Sequence, residues 1–282
     1  MTELSSKRVY EVWIQVVQDE ELYEAMLEGT HGALAGRALD PEAIAILDWM
    51  HDQPGMRWNV ENLRFRSACF VADVVMYYLP RTLTLLTGGN ELWRQDLCFE
   101  YLAHHRWQQL GHMQLTECVR FAKFVRARVM RRRVTPAHLD AVLSYELAVV
   151  ELLRSTAKIA PEAWPVRREV TELELPALRP RRSPAQIVID LDVDLRPWIE
   201  SGDPLRGEIR PEPITILVDM PSLAERYRIK TISDGVRVVL ERCDGERSVA
   251  ALTSELEDEF ELPAADVRRT VRNLLDERIL CA

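Results

Sequence analysis

The sequence predicts an α+β protein: an N-terminal all-α helical domain, then a small winged-helix-like domain with a three-stranded sheet and three helices. Two changes along the chain carry this expectation. Apolar residues recur at helical spacing as far as residue 158, and after residue 185 they alternate with period two before returning to helical spacing. Between these regions, residues 159–185 hold Pro161, Pro165, Pro176, Pro180 and Pro184 with Arg179, Arg181 and Arg182 interspersed. That composition reads as a linker or an extended crossing segment, not a packed element.

The helical domain is expected over 1–158. Val9 to Met26 carries an apolar stripe that stops at Gly29, and Pro41 opens a short helix through Met50. Val60, Leu63, Ser67, Phe70, Val71, Val74, Val75 and Tyr78 mark one face of a long helix ending before Pro80. Further helices are expected over 91–105, 115–131 and 136–156, the last with Leu139, Leu143, Leu147, Val150 and Leu153 on one stripe.

The second domain is expected over 186–282. Strands are read around Ile187–Ile189, at Ile214, Ile216 and Val218, and over 226–232, with Leu173 and Leu175 allowing one more short strand. Val236, Val239, Leu240 and Cys243 form a first helix, closed by Asp244-Gly245. Ser248 is placed to cap a second helix, whose stripe is Val249, Leu252, Leu256 and Phe260. Pro263 sits at the first turn of a third, with Val267, Val271, Leu274 and Leu275 inward.

Composition removes several function classes. The chain has 36 basic and 45 acidic residues, a net charge of −9. Residues from Ser183 onward hold 13 basic and 21 acidic, so nearly all the excess lies in the second domain. Nucleic acid is therefore not an expected partner, because phosphate neutralisation needs a basic surface. No apolar run approaches the roughly 20 residues of a membrane span. The N-terminal residues lack a signal-peptide pattern, so no membrane is expected and the cytoplasm is the expected location. Five cysteines (Cys69, Cys98, Cys118, Cys243, Cys281) fit no zinc spacing and read as buried thiols, with Cys281 exposed. Glu100, His104, His105 and His112 make a metal site conceivable, but the chain lacks the two Glu-x-x-His motifs that carboxylate-bridged sites use. Gly-rich phosphate loops and nucleophile elbows are also missing from the sequence. No catalytic residue, metal ligand or cofactor is assigned to this chain.

The segment from Ile232 to Leu280 carries a recognisable pattern. It has Ile232-Ser233-Asp234, the run D-G-E-R-S-V from Asp244 to Val249, Ala250, Leu252 and Leu256, then Asp266, Val267, Leu274 and Leu275. In these residues it resembles the PqqD-like peptide-binding fold, the RiPP recognition element of ribosomal peptide biosynthesis. The run R-F-R-S-A-C-F-V-A-D-V-V-M-Y-Y-L-P-R-T-L-T-L-L at 64–86, the stretch 99–124 and the helix around Tyr145-Glu146-Leu147 resemble a particular group more loosely. These are the helical domains of partner proteins to multinuclear non-heme iron-dependent oxidases. The resemblance implies a non-catalytic accessory subunit. It binds the leader of a precursor peptide and delivers a cysteine to iron held by a separate catalytic subunit.

In that fold the guest adds as a strand beside the third strand and against the third helix. Here those elements are 226–232 and 264–279. The expected guest contacts are Arg226, Arg228 and Lys230 on the strand and Arg268, Arg272 and Leu275 on the helix, forming a basic wall for an acidic leader. The alternative is that the strand basics face solvent and ward off edge-to-edge pairing. Tyr227, Ile229, Val267, Val271 and Leu274 are expected in the core. Arg126, Arg128, Arg131, Arg132 and Arg133 form a basic helix end. Arg128, Arg131 and Arg132 are the expected docking patch for the oxidase. A winged-helix DNA-binding regulator is the competing reading, opposed by the acidic balance of the second domain. An autonomous metalloenzyme using Glu100, His104 and His112 is a third.

Overall fold

The computed structural model describes residues 5–29, 39–105, 114–132, 136–166, 169–203 and 207–281. The chain forms two compact units, Met1–Thr135 and Pro136–Ala282.

The first unit is helical: α1 (Ser6–Gln18), α2 (Glu20–Glu28), α3 (Pro41–Asp52), α4 (Pro54–Tyr78), α5 (Pro80–Thr87), α6 (Glu91–His104) and α7 (Gln114–Arg132). One helix was expected from Val9 to Met26, but Asp19 divides it. Its carboxylate accepts a bond from Leu22 N at 3.1 Å and starts α2, replacing a partner the free helix end lacks. Asp40 and Asn90 cap α3 and α6 in the same way, at 2.7 Å to Ala43 N and 2.9 Å to Leu92 N. Pro80 is the first residue of α5, a helix absent from the sequence reading. α4 packs against α1, α3, α5, α6 and α7. It buries Val60, Ala68, Val71 and Val75, whereas Phe70, expected on that face, is 41% exposed. The buried Arg64 pairs with Glu20 and lies 3.8 Å over the Tyr23 ring. No single helix among the described residues is long and apolar enough to cross a membrane.

The second unit begins earlier than expected, with α8 (Leu139–Thr156). It continues through β1 (Arg181–Arg182), β2 (Gln186–Leu191), α9 (Arg196–Ser201), β3 (Ile214–Asp219) and β4 (Arg228–Ile232). Then come α10 (Asp234–Arg242), α11 (Val249–Phe260), α12 (Ala264–Asp276) and β5 (Leu280–Cys281). β2, β3 and β4 form an antiparallel sheet in that order, with Val188, Leu217 and Lys230 in register. Leu217, Ile232 and Val188 face a core built with Val239, Leu252, Leu256, Val267, Val271 and Leu274 from α10, α11 and α12. The opposite face, with Ile187, Ile189, Ile216 and Val218, is left to α8, which packs on β2 and β3. Both faces of the sheet are thus covered, and Ile216, Leu217 and Val218 are each 0% exposed.

Residues 175–185 are not a free linker. Leu175 is buried in the same core, inside a 3-10 turn rather than a strand. β1 pairs with β5. Val249 N donates to Leu178 O at 2.8 Å, Gly245 N to Pro180 O at 3.0 Å, and Ser183 N to Ile279 O at 3.0 Å. The prolines suit this extended path because few of its N–H groups are needed for a ladder. Cys281 is half-buried in β5 rather than exposed.

Candidate functional site

The sheet ends at β4, whose outer edge pairs with no other strand among the described residues. An unpaired edge offers backbone N–H and C=O groups to an added strand. α12 runs beside it. At about 100° per residue, Thr270, Asn273 and Glu277 fall on one flank of this helix and Arg268 and Arg272 on the other. Val267, Val271 and Leu274, which enter the core, lie between the flanks. Glu277, the residue that follows α12 and continues its Thr270–Asn273 flank, is the contact with the strand. Its carboxylate is 2.5 Å from Lys230 Nζ, and its carbonyl accepts a bond from Arg228 at 2.8 Å.

The strand cations are therefore already engaged within the chain. Arg228 Nε and Nη2 both reach Asp219 on β3, the Nε bond at 3.0 Å. The two residues are register partners on neighbouring strands. The Asp219 side chain is 2% exposed. Burial pushes its carboxyl upward from its ordinary value, against the pull of Arg228 and Lys230.

The six expected guest contacts divide on this geometry. Arg228 and Lys230 sit on the edge strand but are paired with Asp219 and Glu277. Arg226 precedes β4, is exposed, and has no ion pair among the described residues. Arg268 and Arg272 lie on the flank of α12 away from the strand, Arg272 paired with Glu172. Leu275 is 6% exposed and belongs to the core, because its place on the helix turns it toward Val271 and Leu274. A single basic wall does not form. Tyr227, expected in the core, is 39% exposed ahead of the strand, and Ile229 is partly buried. Asp219, Glu277 and Glu172 were missed. The available signal was an aspartate ending an apolar strand, within hairpin reach of alternating Arg and Lys.

Residues 234–278 match the family model of coenzyme PQQ synthesis protein D (PqqD). The second unit carries a PqqD domain. No curated protein matches the chain. The matched span holds the three helices, and its turns show why the motif residues occur together. Ser233 caps α10 through Val236 N at 3.4 Å, and Ser248 caps α11 through Ala251 N at 3.2 Å. Asp244 Oδ1 accepts from Glu246 N at 2.8 Å, which holds the tight turn where Gly245 takes φ 86°. A left-handed φ of this kind favours glycine. Pro263 stands one residue before α12, at its N-cap position rather than inside the first turn. Cys243 is buried, and its thiol is pushed up to about 12, so it is protonated at neutral pH and poorly nucleophilic.

In the first unit, Arg128 Nε reaches both carboxylate oxygens of Glu100 at 2.9 Å. This bond links α6 and α7 and occupies the carboxylate that the metal reading needed. A cleft of about 330 Å³ adjoins the pair, lined by Leu86, Thr87, Trp93, Asp96 and Leu97. Arg131 is exposed. Arg132 ends α7, but its side chain, like Arg133 and His112, lies outside the described residues. Among the described residues no three His, Cys, Asp or Glu groups converge as a metal site would require. Tyr101, Phe121, Phe124 and His105 form an aromatic cluster, with the Tyr101 hydroxyl donating to the buried Glu117.

Proposed function

We propose that this chain is the peptide-binding, non-catalytic subunit of an enzyme complex acting on a ribosomally made precursor. The leader adds as a fourth strand along the outer edge of β4, beside the Thr270–Asn273–Glu277 flank of α12. The helical unit docks a multinuclear non-heme iron-dependent oxidase, with Arg128, Arg131 and Arg132 at the end of α7 in the contact. The iron belongs to that partner, and the precursor cysteine is brought to it. The chain contributes proximity, raising the effective concentration of the core peptide at the metal.

The open β4 edge, directly ahead of the segment that matches PqqD, is the observation that supports this reading. The internal pairing of Arg228 and Lys230 changes the expected energetics. Backbone bonds supply the affinity, and Arg226 is the strand-side cation, among the described residues, left available to an acidic guest.

The test is hydrogen–deuterium exchange on the full chain, with and without a Cys-containing precursor encoded beside its gene. Slowed exchange across 228–232 is expected. Binding that leaves those amides unchanged overturns the strand-addition reading. Co-purification with an oxidase encoded nearby, weakened by Arg131→Glu, tests the docking contact. An oxidase that processes the precursor at the same rate without this chain overturns the accessory role.

A further inference from the structure

The flank of α12 facing away from β4 is partly covered by the chain's own residues. Residues 169–175 read Glu-Val-Thr-Glu-Leu-Glu-Leu, with three acids and three aliphatic residues interspersed. Val170 packs on the C-terminal core, and Leu175 is buried in it. Between these anchors Glu172 pairs with Arg272, one hundred positions away. The turn is bracketed by Thr171 N and Oγ1, which donate to Glu174 Oε2 at 3.1 and 3.0 Å.

This contact leaves Arg272 half used. Glu172 takes only Nη1. Nε and Nη2, the side-on fork of the guanidinium, are buried without a partner among the described residues. That fork is the geometry that binds a carboxylate through two parallel bonds. The pair Arg196–Asp194 uses it in this same unit, Nε to one carboxylate oxygen and Nη2 to the other. Arg268, one helical turn earlier on the same flank, is exposed and has no ion pair among the described residues. The covering contact is weakly held, since the Glu172 side chain is 78% exposed and an exposed ion pair contributes little.

We propose that the Arg268–Arg272 flank of α12 is a second peptide-contact surface, separate from the β4 edge. It accepts an acidic segment with interspersed aliphatic residues from another molecule, and residues 169–175 are its exchangeable occupant. The incoming carboxylate takes the Nε–Nη2 fork, and a second acid reaches Arg268. The surface does not depend on strand addition at β4, because the two lie on opposite flanks of the helix.

The probe is a fluorescein-labelled synthetic peptide copying residues 169–175, titrated by anisotropy into the full chain. Glu172→Lys opens the cover and is expected to bind the peptide at least tenfold more tightly than the wild type. Adding Arg268→Glu to that variant is expected to remove the gain. Arg268 is exposed, so this change preserves the fold, which circular dichroism checks even if Arg272→Glu unfolds. Equal binding by wild type and Glu172→Lys overturns the proposal. So does a gain that survives Arg268→Glu, or equal binding of a peptide with the same residues scrambled. Exchange protection by the probe is expected over 264–276 and not over 228–232, which separates this surface from the β4 edge.

Discussion

Arg228 spends its charge on the fold. Its guanidinium bridges Asp219 and the Glu277 carbonyl, so replacing it with Ala strands a buried carboxylate. A loss of about 2–3 kcal/mol is expected, measured by urea unfolding, with Asp219→Asn restoring part of it in the double variant. Asp219 also gives a pH signature. Its folded carboxyl holds a proton more tightly than the unfolded one. Its contribution to stability is therefore greatest at low pH and falls as pH rises through the folded value. In Asp219→Asn that slope disappears, so the variant's melting temperature relative to the wild type should rise between about pH 4 and pH 7. A difference that stays constant across this range contradicts the assignment. Ser248→Ala removes the α11 cap and should cost about 1 kcal/mol. The Ser248 cap, the Gly245 turn and the inward stripes, apart from Phe260, which is 44% exposed, were legible in the sequence, because each is local chemistry. The acids that neutralise Arg228, Lys230 and Arg272 were not, because their pairing depends on strand register and on a segment one hundred residues distant.

At the scale of elements, the three strands and the three closing helices were legible from periodicity, while α8 was assigned to the wrong unit. Its amphipathic stripe says that it packs, not against what. The run Ile216-Leu217-Val218 held the answer. Alternation predicts one covered face, but three consecutive apolar residues need two. The proline-rich stretch misled for a similar reason. Composition reports how extended a segment is, and Leu175 shows that an extended segment can still be anchored. Leu175→Ala should cost about 3 kcal/mol, an effect expected of a core residue and not of a linker. A chemical-denaturation midpoint within error of the wild type contradicts the anchored reading.

For the whole molecule, the division at residue 135 makes a physical claim about autonomy. A fragment covering 136–282 keeps α8 over the sheet and should unfold cooperatively. A fragment covering 186–282 loses α8, Leu175 and the partner of β5, and should bind a hydrophobic dye and melt broadly. Equal, sharp melting of both fragments contradicts that boundary. The charge split takes on a narrower meaning. The acidic excess of the second unit supplies the partners for its cations: Asp219, Glu277, Glu255 and Glu225 hold Arg228, Lys230, Arg247 and Arg278. Much of the basic surface expected to meet a guest is neutralised by the protein itself.

The pairing of β1 with β5 also sets an order of events in time. Arg181 and Arg182 emerge from the ribosome about one hundred residues before the strand that completes them. A contact that distant in sequence forms late, after its loop-closure cost has been met by nearer ones. Until residue 281 is free, the nascent domain has its sheet and no clasp.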